Sequence, residues 1–156
     1  MLGERDRLTP PALKAVGRVM GQRAHNTKMR LNLFISYGSR AELTRAARLI
    51  AEDVAAGRLT PAQVDEAAIT SRLFTADCPD PDLLIRTSGE QRISNFMLWQ
   101  VAYTELFISA VLWPDFGRRE LYEAILDYQN RDRRFGRVPA EPRLPHSFSC
   151  RGSLSG

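Results

Sequence analysis

Asp82-Leu-Leu-Ile-Arg-Thr-Ser-Gly-Glu-Gln-Arg-Ile-Ser-Asn-Phe-Met-Leu-Trp-Gln100 is the stretch on which the reading of this chain turns. Its apolar opening, Leu83 to Ile85, is the right length for one buried strand. The chain then breaks into a polar loop, Arg86 to Asn95, and resumes as an apolar segment, Phe96 to Tyr103, expected to be helical. A strand that runs into a Ser/Gly-bearing loop and then a helix is where open α/β sheets place their ligands. Ser94 and Asn95 are natural N-caps for such a helix. Backbone N–H groups at a helix start, hydroxyls and the guanidinium forks of Arg86 and Arg92 suit a phosphate or a diphosphate. Several charge-assisted hydrogen bonds of roughly 1.5–3 kcal/mol each would hold it. A capped turn with two solvated surface arginines fits the same residue types, which by themselves do not separate the two readings.

Outward from this stretch, helical and strand patterns alternate. Thr9-Pro-Pro-Ala caps a helix running to about Ala24, with Leu13, Val16 and Met20 on one buried face. Met29 to Ser36 alternates and then becomes continuously apolar, which predicts a strand. Tyr37-Gly-Ser-Arg40 turns into a helix from about Arg40 to Ala56 that buries Leu43, Ala46, Ala47, Ile50 and Val54 and ends at Gly57. Thr60-Pro caps a second helix to about Ser71, whose Asp65 and Glu66 read as a solvated face. Thr75 to Asp82 is a proline-broken loop. Beyond the central stretch, Thr104 to Val111 reads as a strand, Leu112 to Phe116 as a tight turn and Arg118 to about Phe135 as a helix with Leu121, Ile125 and Tyr128 on one face. The order implies an α/β fold with a mostly parallel sheet flanked by helices. From Arg137 the chain turns Pro/Ser/Gly-rich, so residues 1–136 are expected to form the domain and residues 137–156 a disordered tail.

Composition bounds the function classes. The 156 residues are ordinary for a globular protein, and no apolar run approaches the ~20 residues of a membrane span. The formal net charge is +4, carried by arginine except at Lys14 and Lys28. That balance fits diphosphate substrates or an anionic lipid surface touched peripherally. No aromatic-interleaved basic patch points to nucleic acid, and none is expected as partner. Cys78 and Cys150 lie far apart, without a CxxC or a histidine cluster, which excludes a disulfide framework and a zinc site and points to a reducing, cytoplasmic setting. His25 and His146 are isolated and read as structural or surface residues.

The wording of the central stretch is more specific than its residue types. Arg86-Thr-Ser-Gly-Glu-Gln-Arg92-Ile-Ser94-Asn-Phe-Met-Leu-Trp-Gln, with Ala102-Tyr-Thr-Glu105-Leu-Phe and Leu112-Trp-Pro-Asp-Phe116, resembles the C-terminal half of the cis-prenyltransferases, the undecaprenyl or polyprenyl diphosphate synthases. The resemblance runs from about Gly3 to Gly136. It implies condensation of isopentenyl diphosphate with an allylic diphosphate to form a cis double bond. It also implies that Arg86, Arg92 and Ser94 hold the isopentenyl diphosphate and that Glu105 helps place Mg2+. In the family the Leu112–Phe116 region contributes to a homodimer interface, so a homodimer, or a heterodimer with a family member, is the expected assembly. The Arg131-Asp-Arg-Arg-Phe-Gly136 run resembles the family's C-terminal R-R-F-G, whose arginines either approach diphosphate or complement a helix C-terminus.

The departures carry equal weight. The family's D-G-N-R/G-R-W segment, whose aspartate binds the metal, and its Asn-Trp segment have no counterpart in this sequence, so no catalytic residue is assigned. Ser36 and Ser39 stand where the family's N-Y-G-G-R run has Asn and Gly. The expectation is therefore the isopentenyl diphosphate half-site without most of the allylic one, in a sheet lacking strands and exposing an apolar edge. The alternatives are a non-catalytic partner subunit of a heteromeric cis-prenyltransferase and an inactive fragment.

Overall fold

The computed structural model describes residues 1–3, 8–22 and 28–131. Their elements are α1 (Pro10–Gln22), α2 (Ser39–Ala55), α3 (Glu66–Thr70), β1 (Leu83–Arg86), β2 (Glu105–Ile108) and α4 (Arg118–Gln129). Two 3-10 turns, Pro61–Gln63 and Trp113–Asp115, lie between them. β1 and β2 pair in parallel with Leu83 opposite Glu105 and Arg86 opposite Ile108, and α4 packs on β2. The α/β expectation therefore holds, in a sheet that among the described residues has two strands. The predicted disordered tail and the arginine run after Arg131 lie outside the described residues, as do His25, His146 and Cys150.

α2 is the hub. Ala46 and Ile50 are buried towards the core formed with Ala68, Leu73, Met97, Val101 and Ala124, while Ala47, expected inside, is exposed. Gly57, at φ +71, closes the helix with its N–H on the Val54 carbonyl, a backbone turn that glycine adopts without a Cβ penalty. Arg58 and Arg72 converge on Asp53, tying the end of α2 to the segment after α3 and holding the Asp53 carboxyl below the usual carboxylate range, Arg72 being the stronger influence.

Five expected elements differ. The helix predicted over Phe96–Tyr103 is a succession of turns. Ser94, Asn95 and Met97 have φ of 54, 62 and 50, a left-handed backbone from which a right-handed helix cannot propagate. Asn95 finds its partners across the molecule, in Ser39 and Arg40, while the Met97 carbonyl accepts locally from Val101 N–H at 2.9 Å. The strand predicted over Met29–Ser36 is reduced to one parallel bridge, Phe34 to Leu2, among the described residues; Met29 and Leu31 stay exposed. The helix predicted to start at Pro61 splits in two. Asp65 turns inward to cap α3 on the Ala68 N–H at 2.8 Å rather than joining a solvated face. The stripes on α1 and α4 also remain partly open: Leu13, Met20, Leu121 and Ile125 are exposed, and on α4 it is Ala124 that is buried.

The strongest organising feature is polar. Glu42, on the inner face of α2, is 1% exposed. Its Oε1 accepts from Phe74 N–H at 2.8 Å, and its Oε2 from the Tyr37 hydroxyl at 2.5 Å and the Gln100 amide at 3.2 Å. Gln100 also donates to Thr75 Oγ1 at 2.8 Å. A buried carboxylate is tolerated only when its lone pairs are engaged in this way. Glu42→Ala leaves three buried donors without their acceptor. The expected outcome is a loss of roughly 3 kcal/mol in the unfolding free energy measured by chemical denaturation, with a smaller loss for Glu42→Gln.

Candidate functional site

β1 delivers Arg86 to the mouth of the polar loop. Ser88 and Gly89 follow at φ 69 and 66, a turn that requires left-handed backbone at two successive residues. Its amides are stapled to the chain beyond β2: Ser88 N–H donates to the Val111 carbonyl at 2.9 Å and Gly89 N–H to the Ser109 carbonyl at 2.8 Å. Ser109 N–H in turn donates to the Arg86 carbonyl at 2.8 Å. The loop is thereby fixed to the C-terminal end of the parallel strands, the end at which open α/β sheets bind ligands.

The structure brings Arg86 and Arg92 together. Both guanidinium groups close on one carboxylate, Glu90: Arg86 Nη2 on Oε2, and Arg92 Nη2 on Oε1 at 2.5 Å. The Arg92 side chain is 66% exposed and that of Arg86 34%, so the pair opens to solvent on the Arg92 side. Arg86 Nε, by contrast, is buried without an acceptor among the described residues. A buried N–H of a permanently charged group calls for an acceptor, and carboxylate or phosphate oxygens are suited to guanidinium donors. Ser94 lies on the same loop, exposed and left-handed.

Glu105 is not brought to this loop. It opens β2 opposite Leu83, three residues before the Ile108–Arg86 pair, so it lies about 10 Å down the strand direction from Arg86. Its Oε2 accepts from Arg131 Nη1 at 2.7 Å, and Arg131 also donates to the Leu106 carbonyl and to Asp127. Glu105 first and Asp127 second raise the Arg131 pKa above the ordinary arginine value. No group of three His, Cys, Asp or Glu side chains converges among the described residues. Mg2+ commonly takes one or two carboxylates and completes its shell with water and substrate phosphate, so Glu105 fits as one ligand among several and not as a site of its own.

A second turn faces the loop. Gly38 precedes α2, and its neighbour Asn95 does the capping from across the chain: the Asn95 carbonyl accepts from Ser39 N–H and its Oδ1 from Arg40 N–H, both at 2.9 Å. A Cβ on Gly38 would stand 2.9 Å from Asn95 Nδ2, which explains glycine there. The fully buried Ser39 returns a contact by accepting from Leu98 N–H at 2.8 Å. Asn95 thus caps α2 rather than a helix of its own. Phe34, Tyr37 and Phe96 pack edge to face beside it, with ring centroids 4.8 to 5.8 Å apart. Tyr37 spends its hydroxyl on Glu42, and Arg40 leaves its side chain exposed. Sequence reasoning missed Glu42, Glu90 and the capping role of Asn95. One signal was available: Ser39, Glu42, Ala46 and Ile50 share a helical face, and a glutamate on an apolar face calls for buried donors.

Below the loop, Ile85, Trp113, Phe116, Gly117, Arg118 and Leu121 line an open, mainly apolar cleft of about 410 Å3. Trp113 stacks on Phe116 at 6.2 Å yet remains 73% exposed.

Comparison with known proteins bears on this arrangement. The prenyltransferase family described as "Putative undecaprenyl diphosphate synthase" matches residues 1–136. An isoprenyl transferase of Geobacter sulfurreducens is 52% identical over 141 residues, which are 90% of this chain and 57% of that protein. A ditrans,polycis-undecaprenyl-diphosphate synthase of Xanthomonas axonopodis pv. citri is 48% identical over 140 residues, covering 90% and 54%. Among solved structures, lavandulyl diphosphate synthase from Lavandula x intermedia, in complex with dimethylallyl diphosphate, superposes with a TM-score of 0.84 at 40% identity. That match covers 87% of this chain and 58% of the lavender enzyme. The chain spans about half the length of the curated relatives it matches.

Burial, and then the hydrogen bond to Glu42, push the Tyr37 phenol from 10.0 up to about 12. The folded value lies above the unfolded one, so this contribution to stability is complete below pH 10 and is lost as pH rises towards 12. In an alkaline titration followed by phenolate absorbance, Tyr37 is expected to ionise well above the ordinary phenol value. Tyr37→Phe should remove that late step and flatten the alkaline fall in stability. A titration in which Tyr37→Phe removes no late step would contradict this.

Proposed function

The chain belongs to the undecaprenyl diphosphate synthase family, and on that footing we propose that it carries the isopentenyl diphosphate half-site of a cis-prenyltransferase. The observation that carries the proposal is the convergence of Arg86 and Arg92 at the C-terminal end of the strand pair. Two guanidinium forks held a carboxylate's width apart match the spacing of diphosphate oxygens. Ser94, on the same loop, supplies a hydroxyl donor.

The reaction this half-site serves joins two diphosphates. The double bond of isopentenyl diphosphate attacks C1 of the allylic partner, the allylic C–O bond breaks with loss of diphosphate, and a proton leaves the new carbon skeleton. Arg86, Arg92 and Ser94 grip the nucleophile's diphosphate, which stays attached throughout. Their contribution is positioning and the removal of like-charge repulsion between the two substrates. Mg2+, when bound, would neutralise charge on the departing diphosphate. Glu105 would be one of its ligands once released from Arg131. We assign the assembly to a homodimer or a heterodimer with a family member, through the exposed Leu112 and Trp113. The proposed setting is the cytoplasm, with peripheral contact to an anionic membrane surface.

A second reading, a non-catalytic partner subunit, is favoured by one observation: the Glu105 carboxylate is engaged by Arg131. Turnover of isopentenyl diphosphate by the purified chain, alone and mixed with a full-length relative, separates the two readings. The half-site itself is tested by calorimetry. Arg86→Ala and Arg92→Ala should each weaken isopentenyl diphosphate binding about tenfold to a hundredfold, and Ser94→Ala several-fold. Unchanged affinity in either arginine variant would sink the assignment.

A further inference from the structure

Glu90 has no part in the proposed chemistry, yet it holds both arginines that do. Its two oxygens are divided between them, one to Arg86 and one to Arg92, and its side chain is 33% exposed. The carboxylate occupies the position between the forks that a phosphoryl group would need. The turn that presents it returns it to the same place, because Ser88 and Gly89 are stapled by their amides to the Val111 and Ser109 carbonyls. We infer that Glu90 is an intramolecular competitor for the diphosphate, a carboxylate that must swing out for substrate to enter and that reclaims the guanidinium pair as the diphosphate leaves. The inference rests on the half-site reading given above.

The chemistry of the reaction gives such a competitor a use. The diphosphate gripped by Arg86 and Arg92 is not the one expelled; it stays on the lengthened product. A site that held it as tightly after condensation as before would be blocked by its own product. A carboxylate poised two residues from Arg92 and four from Arg86 lowers affinity for every anion by one common factor and shortens its residence. Free phosphate, a weaker ligand, is then held too loosely to occupy the site. Arg86 Nε lies outside this competition, since Glu90 engages only the Nη2 atoms.

Glu90→Gln keeps the side chain's size and removes its charge. The test measures binding of inorganic pyrophosphate and of inorganic phosphate to the full chain by calorimetry, with pyrophosphate release followed in stopped-flow displacement. Loss of two part-exposed ion pairs should tighten pyrophosphate about threefold to tenfold and slow its release to match. Phosphate should tighten by the same factor, because displacing one carboxylate costs every ligand alike. If Glu90 only props the arginines in place, the substitution weakens both ligands, and the inference is overturned; unchanged affinity overturns it too. The parallel Arg86→Ala and Arg92→Ala measurements keep the two levels apart. Weakened pyrophosphate binding there, with no tightening in Glu90→Gln, removes the competitor and leaves the half-site standing. Unaltered binding there removes both. A thermal midpoint equal to that of the parent chain establishes that Glu90→Gln remains folded.

Discussion

A carboxylate removed from water is the constraint around which this fold is arranged. The Glu42 side chain is withdrawn from solvent, and donors from several segments meet its two oxygens there. Those donors come from the turn before α2 (Tyr37), from the segment after α3 (Phe74) and from the crossover between the strands (Gln100). Three stretches distant in sequence are thereby brought to one point at the N-terminal end of α2. Apolar packing alone would leave this region loosely specified, since three of the seven buried hydrophobic residues among the described ones are alanines, beside Ile50, Leu73, Met97 and Val101. A network in which one carboxylate gathers three donors, with the Gln100 amide shared between Glu42 and Thr75, admits few alternative arrangements, and the edge-to-face rings of Phe34, Tyr37 and Phe96 fill the space beside it.

From this point the unusual backbone of the neighbouring loops follows. Parallel strands require a crossover, commonly an α-helix. Here the chain from residue 87 to 104 makes the crossing in turns, with Ser88, Ser94, Asn95 and Met97 all left-handed. Such conformations carry a local cost and persist where surrounding contacts over-determine them. Asn95 caps α2, Leu98 is bound by Ser39 and Gln100 by Glu42, so the crossover gives up helical hydrogen bonds for tertiary ones. The result is a rigid loop whose polar side chains stand at the C-terminal end of the strands.

Charge is then distributed to the two ends of the strand pair. At the C-terminal end, two arginines share Glu90, an arrangement that keeps positive charges close without a ligand. At the N-terminal end, Arg131 is shared by Glu105 and Asp127. Each cluster leaves its minority charge doubly partnered, and in each the exposure is high enough for exchange with an outside ion. The carboxylate that the family resemblance assigns to magnesium and the arginines it assigns to diphosphate thus occupy opposite ends of one parallel pair in this chain.

Much of this was legible in the residues themselves. The strand before Arg86, the strand opened by Glu105, the α2 and α4 helices and the convergence of Arg86 with Arg92 follow from apolar runs, glycine and capping residues, and local spacing. These are short-range properties, decided within a few residues of chain. The helical appearance of Phe96–Tyr103 misled because apolar spacing records burial and not backbone handedness. The strand over Met29–Ser36 was overestimated because a strand exists only by virtue of a neighbour. Glu42 and Asn95 looked like ordinary polar residues, since hydrogen bonds that join residues 32 to 58 positions apart leave no periodic trace; Glu90, whose partners lie two and four residues away, looked like part of a motif. Local order was written in the sequence; the partners of Glu42 and Glu105 were chosen only when the folded chain brought distant donors within reach of them.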